Sequence, residues 1–127
     1  MEKYKFVKEF EFRASPKVLY PFISTPSGLQ QWFAAKVNIL PDHSYDFVWD
    51  GESHVAKVTS QRLNKVARYD FVNPPQVGNY VEFKLETSEL DNTTYLKITD
   101  YSTNSDEEDL TDLWTDLVDK IKDIVGG

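Results

Sequence analysis

The chain has 127 residues, no cysteine and a formal net charge of −7. That length suits one domain over 1–127 with a sizeable core, and the lack of cysteine excludes a disulfide framework, a thiol nucleophile and a cysteine-held metal. The acidity argues against nucleic acid as a partner, because phosphate binding calls for a basic surface.

The charge is unevenly placed: residues 1–85 hold eleven Lys/Arg and nine Asp/Glu, whereas residues 86–127 hold three and twelve. The first residues are charged at nearly every second position, so no signal peptide is expected, and no run approaches the ~18 apolar residues of a membrane helix. These features place the expected setting in the cytoplasm, with no membrane span.

From residue 3 to 13, Tyr4, Phe6, Phe10 and Phe12 alternate with charged residues, the period of a strand with one buried face. Ser15-Pro16 then supplies a hydroxyl cap and a proline at the first helical position. Val18, Leu19, Phe22 and Ile23 follow at helical spacing. Thr25-Pro26 repeats the start signal for a second short helix, whose apolar face is Leu29, Trp32 and Phe33.

From Lys36 to Tyr101 the pattern is β, with strands expected near 36–40, 45–50, 54–61, 66–72, 80–88 and 94–101. Asp50-Gly51 marks a tight hairpin, since both residues tolerate positive φ. Asn73-Pro74-Pro75 stops a strand, and Asp91-Asn92 marks another turn. Val81, Phe83 and Leu85 share one face of their strand, as do Leu96 and Ile98 of the next.

The last segment predicts a long helix. Ser105 and Glu108 form a capping box, Asp106 to Asp109 crowd its positive end, and Gly126 stands at the C-cap position. Leu110, Leu113, Trp114, Leu117, Val118, Ile121, Ile124 and Val125 make a continuous apolar stripe, expected to be buried. At ~100° per residue, Asp112, Asp116, Asp119 and Asp123 fall together on the other side. The reading is one α+β domain, in the order β-α-α-β6-α.

The segment Ser15-Pro16-Lys17-Val18-Leu19-Tyr20-Pro21-Phe22-Ile23-Ser24-Thr25-Pro26-Ser27-Gly28-Leu29-Gln30-Gln31-Trp32-Phe33 resembles the opening motif of proteins similar to activators of the heat-shock-protein-90 ATPase, members of the START-like (SRPBCC) superfamily. Thr111 to Lys122 resembles that family's last helix. The resemblance covers about residues 3–125. It implies a helix-grip fold: a curved antiparallel seven-stranded sheet wrapped on a long C-terminal helix, with an apolar cavity between them. Pro74-Pro75-Gln76-Val77-Gly78 stands where the family often carries an Arg after its Pro-Pro pair. Short loops predict a narrow cavity mouth.

The chain shows no nucleophile motif, phosphate-cradling loop or dinucleotide fingerprint. His43 falls in a turn and His54 at a strand start, both read as surface positions. Asp42, His43 and Asp46 meet no metal-ligand spacing, so neither metal nor cofactor is expected. The positive signal is aromatic: eight Phe, seven Tyr and three Trp. Apolar and aromatic walls with a few polar groups characterise ligand sites. The resemblance implies Trp32, Phe33, Phe47, Trp49, Phe83, Trp114, Leu117 and Ile121 as cavity lining, with Tyr45, Tyr69, Tyr95 and Tyr101 as candidate hydroxyl partners of a ligand. The expectation is a non-catalytic binding domain for a lipid or other hydrophobic small molecule. The alternatives are a protein-interaction or co-chaperone-like module using the acidic helix face and, third, an enzyme resembling polyketide cyclases.

Overall fold

Alternating strands separated by turn residues fold by pairing with their neighbours, and here they build one sheet. The computed structural model describes residues 2–127. Its elements are β1 (Tyr4–Phe12), α1 (Pro16–Ser24), α2 (Pro26–Leu29), β2 (Lys36–Ile39), β3 (Tyr45–Trp49), β4 (Glu52–Arg62), β5 (Val66–Phe71), β6 (Tyr80–Thr87), β7 (Thr94–Ser102) and α3 (Glu107–Val125). The strands form a curved seven-stranded sheet in the order β1-β7-β6-β5-β4-β3-β2, antiparallel at every pairing. This is the helix-grip fold.

The order explains the layering. β1 and β2 are the two opposite edges, so the chain between them, which holds α1 and α2, must cross the width of the sheet. Apolar residues at every second position turn toward that crossing: Phe6, Phe10 and Phe12 of β1, Val81, Phe83 and Leu85 of β6, Leu96 and Ile98 of β7 are all buried. Fully burying such a side chain is worth roughly 1.5–3 kcal/mol. β4 bends at a bulge, where the register with β5 shifts between Val58 and Ser60, the usual means of adding curvature.

The proline-led helix starts behave as read. Ser15 Oγ accepts from Val18 N and Thr25 Oγ1 from Gly28 N, so each cap satisfies one free N–H. Gly28 is required by space: a Cβ there would lie 1.9 Å from Pro21 O, backbone against backbone. Asp50 and Gly51 have φ of 51° and 78° in the β3–β4 hairpin, as a tight turn of this hand demands.

Four expectations need correction. α2 ends at Leu29, so Trp32 and Phe33 sit in the turn that follows, closed by amides of both onto Leu29 O. The α3 cap is Asp106, not Ser105. Asp106 Oδ1 accepts from Asp109 N, while Asn104 Oδ1 accepts from Asp106 N and braces the cap; Glu108 is thereby moved off the capping-box position. The apolar stripe of α3 is only partly buried. Leu110, Trp114, Val118 and Ile121 are buried, but Leu113 and Ile124 are 47% and 49% exposed, because both lie on one shoulder of the helix. Tyr45 and Tyr69 do not offer hydroxyls to a ligand. Tyr69 Oη donates to Ile23 O at 2.6 Å and Tyr45 Oη to Ser24 O at 2.8 Å. α1 stops at Ser24, two residues before Pro26, so its last carbonyls lack helical partners, and these two tyrosines supply them for Ile23 and Ser24.

No helix among the described residues is long and apolar enough to cross a membrane.

Candidate functional site

α3 packs on the sheet through Leu110, Trp114, Val118 and Ile121 and leaves a groove beside it. Its walls are the turn after α2, the β3–β4 hairpin, the ends of β6 and β7, and the shoulder of α3. The result is an open groove of about 710 Å³, lined by Trp32, Phe33, Trp49, Phe71, Tyr80, Val81, Asp100, Tyr101, Leu113, Trp114, Leu117 and Lys120, among others. The groove is open on one side rather than enclosed, although the connecting loops are short.

The aromatic wall is rigid because its members pack on one another. Phe33 stacks on Trp114 at 5.8 Å and meets Trp49 edge-on at 5.1 Å. Trp32 lies 6.2 Å from Trp114. Each indole N–H is satisfied: Trp32 Nε1 donates to Phe22 O at 2.7 Å, Trp49 Nε1 to Phe33 O at 2.7 Å, and Trp114 Nε1 to Asp100 Oδ2 at 3.0 Å. Tertiary hydrogen bonds of this kind fix ring orientation as well as position.

Asp100 is the site's unusual group. It stands opposite Val81 in the β6–β7 ladder and shares the inward parity of Thr94, Leu96 and Ile98. Burial is the main cause that raises its carboxyl above the usual carboxylate range, with the Trp114 hydrogen bond opposing. Sequence reasoning missed this residue. The signal was present: continuing the Leu96, Ile98 face by two positions arrives at Asp100.

Five of the eight proposed lining residues come together on the groove wall: Trp32, Phe33, Trp49, Trp114 and Leu117. Phe47, Phe83 and Ile121 are fully buried in the core behind it. They support the wall, as Phe83 does in packing 5.2 Å from Trp32 and 6.0 Å from Trp114, and are not part of it. Tyr101 stacks on Tyr80 at 5.2 Å along one edge of the groove. Tyr95 is not part of the wall. His43 occupies a turn at φ 69°. His54 Nδ1 and Gln76 Oε1 are hydrogen-bonded at 2.6 Å, which positions Gln76 at the groove rim.

A model of the START-like superfamily domain matches residues 1–127. The chain belongs to the START-like superfamily. Among solved structures, BfR322 from Bacteroides fragilis is 31% identical, with a TM-score of 0.66 over 98% of this chain and 92% of that one. The Aha1 dimer from Colwellia psychrerythraea is similar at 20% identity and a TM-score of 0.70, over 95% of this chain and 92% of that one. That likeness shows a shared fold. CalU16 from Micromonospora echinospora shares the fold at 13% identity and a TM-score of 0.68, over 92% of this chain and 73% of that one. No curated protein matches the sequence.

Proposed function

We propose that this START-like domain is a non-catalytic, cytoplasmic binding protein for a hydrophobic or amphipathic small molecule, held in the groove between the sheet and α3. The observation that carries the reading is the groove's composition: about 710 Å³ lined by four indole and phenyl rings packed on one another, with one half-buried carboxyl beside them. Apolar walls with a few fixed polar groups are what a small-molecule site requires. The half-exposed Leu113 and half-buried Leu117 fit this reading, since their apolar surface faces a space that a ligand would fill.

Titration with fatty acids, sterols and aromatic compounds, followed by amide and indole chemical shifts, tests it. A ligand in the groove moves the indole N–H signals of Trp32, Trp49 and Trp114 together. Saturating additions that leave all three unmoved refute the proposal.

The protein-interaction reading is favoured by a different observation. Asp112, Asp116, Asp119 and Asp123 are all exposed on the outer side of α3, a continuous acidic strip suited to a basic partner. A pull-down partner that is retained by the Asp112→Lys, Asp116→Lys double variant would refute that use of the strip.

A further inference from the structure

Asp100 lines the groove with one of its carboxylate oxygens hydrogen-bonded. Its Oδ2 is held by Trp114, whereas its Oδ1 has no hydrogen-bond partner among the described residues. That oxygen is also not sealed off: the buried unpaired side-chain oxygen among those residues is Asp46 Oδ1, elsewhere in the sheet. Asp100 Oδ1 therefore keeps some accessible surface, and Asp100 is one of the residues that line the groove.

The carboxylate also lacks a cation. Among the described residues the one ion pair is Arg68–Asp70 at 2.9 Å, where Arg68 lies flat over the Tyr80 ring at 3.7 Å. Lys120 is on the groove wall but forms no ion pair with Asp100. A charge withdrawn from water without a partner is costly, and a ligand that brings the partner relieves the cost. Trp114 touches the carboxylate directly, Trp32, Phe33 and Trp49 line the same groove, and the faces of such rings attract cations. A net charge of −7 favours the approach of cations from solution.

We propose that the groove selects an amphiphile with a protonated amine, an alkyl- or arylammonium, whose N–H donates to Asp100 Oδ1 while its apolar body lies among the rings. This rests on the groove being a ligand site and adds the chemical class of the ligand. A neutral or anionic head group on the same body would leave the carboxylate uncompensated or repelled.

Three probes with the same chain separate the possibilities: octylammonium, 1-octanol and octanoate, each below its micellar concentration. Affinity is read from the Trp114 Nε1–H signal, which reports directly on the bond to Asp100. The expected result is octylammonium bound about tenfold or more tighter than 1-octanol, with octanoate weakest. Asp100→Asn keeps an acceptor for Trp114 but removes the charge, and should bring octylammonium and 1-octanol within about twofold of each other. Asp119→Asn, on the exposed face of α3, should leave the preference intact and so exclude simple attraction to an acidic protein. Equal binding of octylammonium and 1-octanol by the unaltered protein overturns the proposal while leaving the groove a ligand site. So does a preference that survives in Asp100→Asn or disappears in Asp119→Asn. If none of the three binds, this proposal falls, and the wider titration with sterols and aromatic compounds decides the groove reading.

Discussion

Trp114 and Asp100 are joined across the groove by a 3.0 Å hydrogen bond from the indole N–H to the carboxylate. One comes from the middle of α3 and the other from the end of β7, so the bond ties the helix to the sheet where the groove begins. Trp114 also stacks on Phe33, which follows α2. A single indole thus connects three parts of the fold that lie far apart in sequence.

The Asp100 carboxyl gives a pH signature. Burial raises its folded-state pKa above the usual carboxylate range, so the folded chain holds this proton to higher pH than the unfolded chain does. Its contribution to stability therefore falls as pH rises through the window between the ordinary carboxyl value and the raised one. Above that window the penalty is fully present; below it both states are protonated and it vanishes. Asp70 is shifted the other way: burial raises it, but hydrogen bonds from Arg68 and Thr59 outweigh that and leave it lowered. Comparison with a variant isolates Asp100. Asp100→Asn should be the more stable protein at pH 7, with the gain shrinking toward zero at acid pH. Urea unfolding at a series of pH values measures it, and a pH-independent difference would contradict the assignment.

The tyrosine clamp on α1 predicts unequal effects from two similar changes. Tyr69 Oη donates to Ile23 O, which has no other side-chain donor. Ser24 O accepts from both Tyr45 Oη and Gln61 Nε2, each at 2.8 Å. Tyr69→Phe leaves a buried carbonyl bare and should cost about 1–3 kcal/mol. Tyr45→Phe leaves Ser24 O still bonded, so it should cost about 1 kcal/mol or less. Thermal unfolding of the two variants gives the order, and an equal loss would show that Gln61 does not substitute.

Gly28→Ala tests the packing that holds the groove's aromatic turn. The added methyl meets Pro21 O at 1.9 Å, Pro21 C at 2.6 Å and the Phe22 Cα at 2.8 Å, all backbone atoms, so α1 and α2 must separate. The cost should reach roughly 3 kcal/mol or more, at the upper end of overpacking effects. Trp32 and Phe33 follow directly, so their indole and ring signals should move as well. A stability loss below about 1 kcal/mol would mean that the two helices part easily.

The sequence spoke clearly where local chemistry decides. Ser15-Pro16, Thr25-Pro26 and Asp50-Gly51 each impose their backbone on any surroundings, and all three formed as expected. The alternation in β1, β6 and β7, broken in β1 by Val7 and Lys8, pointed to the buried faces. What depended on distant partners was harder to read. Trp49 and Phe47 are two residues apart on one face of β3, yet Trp49 lines the groove and Phe47 lies fully buried in the core; Phe47 is enclosed by Phe33, Tyr69 and Phe71 from other parts of the chain, which no local pattern records. The hydroxyls of Tyr45 and Tyr69 were committed to α1 by its early stop at Ser24. Asp106 displaced Ser105 as cap because Asn104 braces it from behind.

Leu117→Trp separates groove from core most directly. Leu117 is half-buried and lies on the groove wall, one turn from Trp114. Its neighbour on the helix, Val118, is fully buried in the core. A tryptophan at 117 has open volume before it and should be accommodated with a stability change within about 1 kcal/mol, while occupying space that a ligand would use. A tryptophan at 118 has none, and Val118→Trp should cost roughly 3 kcal/mol or more through overpacking. Ligand titration of Leu117→Trp should then show binding weakened by about tenfold or more with the fold intact. Unchanged affinity in a folded Leu117→Trp protein would place the ligand elsewhere, and severe destabilisation by this substitution would show that the groove is closed in solution.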